Sequence, residues 1–237
     1  MADYKVQEPN NYQQKCMCIL VLDVSGSMRK PVSSDSPERR IDRLQKGIET
    51  FYDDVKDQDI IKNMLEIGVI TFDQEPKVVR KPHLLSKDNL VPQLAERGST
   101  TETVAALEKA FEVINERKLF YNETGQTYYR PWLVLISDGK PSSSQDEIDR
   151  MAAKINNAVK KRQVNIIGVS IVDYKDDENY DAIFEAMDKL SGGHSKMIKD
   201  FRLLPFFNWL SNSFTSLSRS QDEDGVGIDD WTRNIPD

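Results

Sequence analysis

Apolar residues along the chain fall into two kinds of run. Cys16 to Leu22 is an unbroken apolar stretch. Continuity without alternation predicts a strand buried on both faces. Met64 to Phe72, Trp132 to Ile136 and Val164 to Val172 predict further strands, and Met197-Ile198 a last short one. Between them the period lengthens. Ile41, Leu44, Ile48, Phe51 and Val55 recur at helical spacing, as do Val104, Leu107, Phe111 and Ile114. Ile148, Met151, Ile155 and Val159 form a third stripe, preceded by Ser144 and Glu147 at capping-box spacing. Ile183, Met187 and Leu190 suggest a short helix, and Leu203, Phe207, Leu210, Phe214 and Leu217 a closing one with Pro205 near its start. Ser36-Pro37 reads as the start of the first helix. Lys77 to Arg80 reads as a short strand after Met64 to Phe72, and so brief a join requires an antiparallel pair.

Strands alternating with helices predict an α/β fold, with a mostly parallel sheet covered on both faces. One domain is expected over residues 15–218, after an N-terminal extension (1–14) and before an acidic tail (219–237). Ser220 to Asp237 holds six acids and one arginine. Within it, Trp231 beside Asp229 and Asp230 could serve as an anchor on a partner.

Composition narrows the options. The net charge of −7 argues against general nucleic-acid affinity, which requires a basic face. The basic groups Arg39, Arg40, Arg43 and Lys160, Lys161, Arg162 read as solvated helix surface. The two cysteines, Cys16 and Cys18, lie two apart in an apolar strand and read as inert core thiols. Met1 to Lys15 is polar and no run approaches membrane-spanning length. A cytoplasmic protein with no membrane contact is the expectation.

The chemistry gathers where strands end. In open α/β sheets, ligands bind beyond the carboxyl ends of the strands. There stand Asp23, Ser25 and Ser27 after the first strand, and Ser137, Asp138 and Gly139 after "WLVLI". The loop Gly98-Ser99-Thr100-Thr101 precedes a helix. Two carboxylates with several hydroxyls form a hard-oxygen set suited to Mg²⁺ or Mn²⁺, with Ca²⁺ admissible. A set that leaves a coordination position to water or to a ligand oxygen makes the cation a Lewis acid open to an anion.

These residues carry a resemblance. Asp23-Val24-Ser25-Gly26-Ser27 matches the D-x-S-x-S of von Willebrand factor type A (vWA) domains. Thr101 in "GSTTETVAAL" matches the family's separate threonine, with Thr100 as the alternative, and Asp138 in "ISDGKP" its later aspartate. The resemblance implies a metal-ion-dependent adhesion site of Asp23, Ser25, Ser27, Thr101 and Asp138. The two serines would ligate through their hydroxyls, the aspartates largely through bound water, and Thr101 directly or through water. It implies a Rossmann-like, doubly wound six-stranded sheet of order 3-2-1-4-5-6 with one antiparallel edge. It also implies Mg²⁺ as the cofactor and a protein ligand offering an Asp or Glu carboxylate. The closing "PFFNWLSNSFTSLSRS" is similar to small standalone bacterial proteins of the tellurite-resistance (TerY-like) type, which work beside kinase- and phosphatase-like partners. The stretch "RKPVSSDSP", Arg29 to Pro37, is longer than the family's usual passage and is expected to overhang the site.

Two other function classes compete, a metal-dependent phosphohydrolase and a structural subunit. The haloacid-type phosphatase pattern D-x-D fails at Ser25, no phosphate-binding G-x-x-x-x-G-K-[ST] loop is present, and no histidine lies in the matched motifs. A non-enzymatic binding module is the expectation.

Overall fold

The structure, a computed structural model, describes residues 13–33, 35–171 and 180–219. The chain runs through β1 (Cys16–Asp23), a 3₁₀ turn (Gly26–Arg29), β2 (Pro31–Ser33), β3 (Ser36–Arg39), α1 (Arg40–Lys56) and α2 (Asp59–Met64). It continues through β4 (Leu65–Phe72), β5 (Pro76–Leu84), α3 (Thr103–Thr124), β6 (Trp132–Ser137) and α4 (Gln145–Lys160). The last elements are β7 (Asn165–Ser170), α5 (Tyr180–Leu190), β8 (Ser195–Met197), a second 3₁₀ turn (Lys199–Phe201) and α6 (Leu203–Leu217). Almost all of the acidic tail, including Trp231, and most of the N-terminal extension lie outside the described residues.

Six strands form one sheet in the order β5-β4-β1-β6-β7-β8. All neighbours are parallel except β4 and β5. This is the expected doubly wound α/β sheet with one antiparallel edge. That edge strand extends beyond the predicted Lys77 to Arg80, and Pro82 lies within it.

Every residue of β1 is buried, as its unbroken apolarity requires. Its side chains alternate between two cores. Cys16, Cys18, Leu20 and Leu22 join α1 and α6 residues such as Phe51, Phe207 and Phe214. Met17, Ile19 and Val21 join Leu107, Ile114, Met151 and Ile155 from α3 and α4. Both cysteines are free and buried, and burial pushes their thiols well above the ordinary range, as inert core residues require. Phe206 and Phe207 are buried, and Trp209 stacks on Phe206, so this aromatic group packs the helix to the sheet. The predicted capping box of α4 is present, with Ser144 accepting from the Glu147 N–H.

Helix α1 begins later than expected. Ser36–Arg39 is a strand, paired antiparallel with Pro31–Ser33. A proline-fixed φ suits a strand edge as well as a first helical turn. The expected overhanging loop is therefore a short hairpin that delivers the chain to Arg40.

Gly47 of α1 faces Phe207 and Leu203 of α6. A Cβ there would stand 2.5 Å from the Phe207 ring. Gly47→Ala is therefore expected to destabilise the protein by ~1–3 kcal/mol through overpacking, despite the better helix propensity of alanine. Urea unfolding of the two proteins checks this, and an unchanged or higher midpoint would contradict it.

Candidate metal centre

β1 and β6 are neighbours, and the direction of winding reverses between them. Their carboxyl ends thus flank the crevice where this kind of sheet gathers ligands. Asp23 closes β1 and Asp138 follows β6.

Asp23 is fully buried and held at both oxygens. Oδ1 accepts from the Ser25 N–H at 2.8 Å, and Oδ2 accepts from Ser137 Oγ at 2.5 Å. The 3₁₀ turn carries the two serines back over the strand end, with the Met28 N–H donating to the Ser25 carbonyl at 3.0 Å. Ser25 Oγ and Ser27 Oγ lie 2.9 Å apart. Ser27 Oγ donates to Asp138 Oδ1 at 2.6 Å. One continuous chain of oxygens therefore links the D-x-S-x-S turn to the end of β6.

Thr101 enters from a third direction. It is buried, whereas Thr100 is half-buried. The Thr101 N–H donates to Ser142 Oγ and the Ser142 N–H donates to the Thr101 carbonyl, both at 2.9 Å. The loop is further pinned by the Glu102 N–H on the Asp73 carbonyl and by the Arg97 N–H on the Val24 carbonyl. A Cβ placed on Gly139 would stand 3.2 Å from Thr101 Oγ1 and 3.8 Å from Asp23 Oδ2. These two oxygens border one small space, which stays open because residue 139 has no side chain.

All five predicted residues thus converge. Their donor set, two carboxylates and three hydroxyls, is hard oxygen throughout and fits Mg²⁺ or Mn²⁺. Among the described residues no cluster of three or more His, Cys, Asp or Glu competes with it.

Electrostatics set the centre apart from an ordinary turn. Burial pushes the Asp23 carboxyl up to about 7, and the nearby Asp138 adds to the rise. Hydrogen bonds from Ser137 and Ser25 pull the other way. A carboxylate at such a disadvantage without a counter-cation gains strongly from one.

Two further residues belong to the centre: Ser137, placed at the strand end by the sequence but given no role there, and Arg40, read there as surface. Ser137 is the hydroxyl that fixes Asp23. Arg40 donates from Nη1 to Asp138 Oδ2 at 2.9 Å, and its side chain is only 10% exposed. The expectation that Arg40 belongs to solvated helix surface is therefore corrected; Arg39, with its side chain 47% exposed, is solvated but closes β3 rather than lying in the helix. The available signal was its spacing, since Arg40 lies four residues before Leu44 and so on the apolar face of α1.

No curated protein matches the chain in sequence. Solved structures do match in fold. The PilB minor pilin from Streptococcus sanguinis aligns with a TM-score of 0.56 and 13% identity, over 92% of this chain and 63% of that one. The vWF domain of the type V pili tip protein Mfa5 from Porphyromonas gingivalis gives 0.59 and 9%, over 86% of this chain and 96% of that one. The pilus adhesin SpaC from Lactobacillus rhamnosus GG gives 0.60 and 14%, over 86% and 31%. The chain spans less than two thirds of the pilin and about a third of the adhesin. At these identities the likeness concerns the fold. Sequence carries the family itself: residues 18–141, just over half the chain, match the family described as von Willebrand factor type A domain, to which this protein belongs.

Proposed function

We propose that this protein is a metal-ion-dependent binding module that captures a partner protein. One observation carries the reading. Two buried carboxylates and three hydroxyls, contributed by three separate segments, meet at the carboxyl ends of adjacent central strands. Asp23, Ser25, Ser27, Thr101 and Asp138 would hold the cation, with Mg²⁺ the best fit to the oxygen set and Mn²⁺ or Ca²⁺ acceptable. The bound cation would offer a partner's Asp or Glu carboxylate a Lewis-acidic position. The protein's own groups do the rest. Asp23 and Asp138 supply negative charge, the serines and Thr101 supply neutral oxygens, and Gly139 keeps the approach open.

Capture rather than catalysis fits the surroundings. No histidine lies in the motifs that form the centre, and the position that would hold a phosphatase's second aspartate is Ser25. Pilus proteins among the structural neighbours, one described as an adhesin, support a binding role for the fold. The likeness of Pro205–Ser220 to tellurite-resistance proteins supports a cytoplasmic bacterial stress response, with kinase- or phosphatase-like proteins as partners. Among the described residues no helix is long and apolar enough to cross a membrane.

The test is partner capture from lysate of the native host, in Mg²⁺ and in EDTA, with wild type and Ser25→Ala/Ser27→Ala. Capture is expected only for wild type in Mg²⁺. A partner retained by the double variant and in excess EDTA would overturn the reading.

A further inference from the structure

We infer that Arg40 is a built-in counter-cation of the centre, one that competes with the divalent ion for Asp138 and so sets how tightly that ion is held. The inference rests on the metal-site reading proposed above, but concerns a residue outside the five-residue motif.

The geometry is specific. Asp138 has no exposed side-chain surface, and both its oxygens are engaged. Oδ1 accepts from Ser27 Oγ at 2.6 Å and Oδ2 from Arg40 Nη1 at 2.9 Å. Arg40 reaches Asp138 through a single guanidinium nitrogen, Nη1. Its Nε is buried with no hydrogen-bond partner, and the guanidinium carbon lies 5.1 Å from the centroid of the Phe201 ring. An arginine placed to stabilise α1 would not look like this. Arg40 is the first residue of that helix, where a positive charge opposes the helix dipole. Its backbone is fixed instead by its N–H on the Lys30 carbonyl, at the base of the β2–β3 hairpin. The hairpin thus carries a cation into the centre against local preference, and Asp138 is what it meets there.

When both are ionised, Asp23 and Asp138 bring two negative charges, and Arg40 returns one positive. Without a metal ion, Arg40 relieves the repulsion between the carboxylates. With a divalent ion in place, the three groups and the ion together carry one net positive charge, and Arg40 and the ion repel across a poorly hydrated site. The first effect keeps the metal-free centre folded. The second weakens the metal and leaves the loaded centre biased towards an anion.

The experiment is calorimetric titration of metal-free protein with Mn²⁺, for wild type, Arg40→Met and Arg40→Lys. Arg40→Met is expected to bind Mn²⁺ at least about tenfold more tightly than wild type, because a like charge is removed. Its metal-free form is expected to melt at lower temperature than wild type, and to gain more from added Mn²⁺. Arg40→Lys retains the charge and is expected to stay within a few-fold of wild type. A purely structural arginine predicts the opposite sign, since loosening Asp138 would weaken the metal. Equal or weaker binding by Arg40→Met, while wild type binds, overturns the inference and leaves the metal site standing. No binding by wild type overturns both. Should Arg40→Met be unfolded when metal-free, Mn²⁺ is expected to restore its native circular dichroism. Failure to fold even in millimolar Mn²⁺ would also overturn the inference, since the ion should then supply the missing charge.

Discussion

Asp23→Asn is expected to make the metal-free protein more stable than wild type at pH 8 while abolishing its affinity for divalent cations. Asp23 is wholly buried, and its carboxyl is pushed up to about 7, first by burial and then by Asp138. A carboxyl raised above its unfolded value keeps its proton more readily in the folded state. Below about pH 4 both states are protonated and the group is neutral to stability. As pH rises from there to about 7, the unfolded chain loses the proton first, and the folded state falls behind by up to roughly 4 kcal/mol. The metal-free wild type should therefore lose stability across this window. Asparagine removes the charge and keeps the shape. Its Oδ1 can still accept from the Ser25 N–H, and Ser137 Oγ can turn from donor to acceptor. Melting in EDTA should show a higher Tm for the variant at pH 8, by several degrees, and a flattened pH slope. Mn²⁺ should then raise the Tm of wild type and leave the variant unmoved. A variant that is less stable at pH 8, or one that still responds to Mn²⁺ like wild type, would show that the residue is structural.

Glu66→Ala is expected to destabilise the fold by ~3–5 kcal/mol without touching cation affinity. Glu66 lies near the amino end of β4, at the opposite end of the sheet from the centre, and is 1% exposed. Arg117 grips it with two hydrogen bonds, at 2.7 and 2.6 Å, and Tyr121 Oη donates to it at 2.6 Å. Lys15 is close enough for the Glu66 charge to partly offset the lowering of its pKa by burial. Truncation leaves a half-buried guanidinium and a buried phenol without their acceptor. The double variant Glu66→Ala/Arg117→Met should recover part of the loss, because the stranded charge is gone. Chemical denaturation measures both, and Mn²⁺ titration of the single variant is the control. A loss under about 1 kcal/mol would place the pair among ordinary surface ion pairs.

How far the sequence revealed all this depends on the range of each interaction. The central strands announced themselves because burial on both faces leaves no polar alternation in β1, β4, β6 or β7. Asp23, Ser25 and Ser27 lay within one turn, and the family pattern brought in Thr101 and Asp138. What stayed hidden was either short or distant. The six residues of α2 are too few to show a period. The β2–β3 hairpin is polar and brief, and its Pro37 imitated a helix start. Beyond Arg80, Pro82 masked the continuation of β5, although an edge strand tolerates it. Arg40 and Asp138 are 98 positions apart, and Ser137 and Asp23 are 114 apart. Neither pairing leaves a local trace. The topology, by setting β1 beside β6, brings Ser137 to Asp23, and the hairpin brings Arg40 to Asp138.

The margins of the sheet restrict how this protein can meet others. On one side β5 turns half-exposed and exposed residues outward, with Lys77 and Lys81 exposed along it and prolines at positions 76 and 82. On the other, β8 is three residues long. Charge, proline and brevity each discourage a foreign strand from pairing there. Lateral growth into ribbons or fibrils, and recognition by adding an extended peptide to the edge, are both disfavoured. The capture proposed above, at the loops beyond the strand ends, thus does not compete with strand addition at the margins.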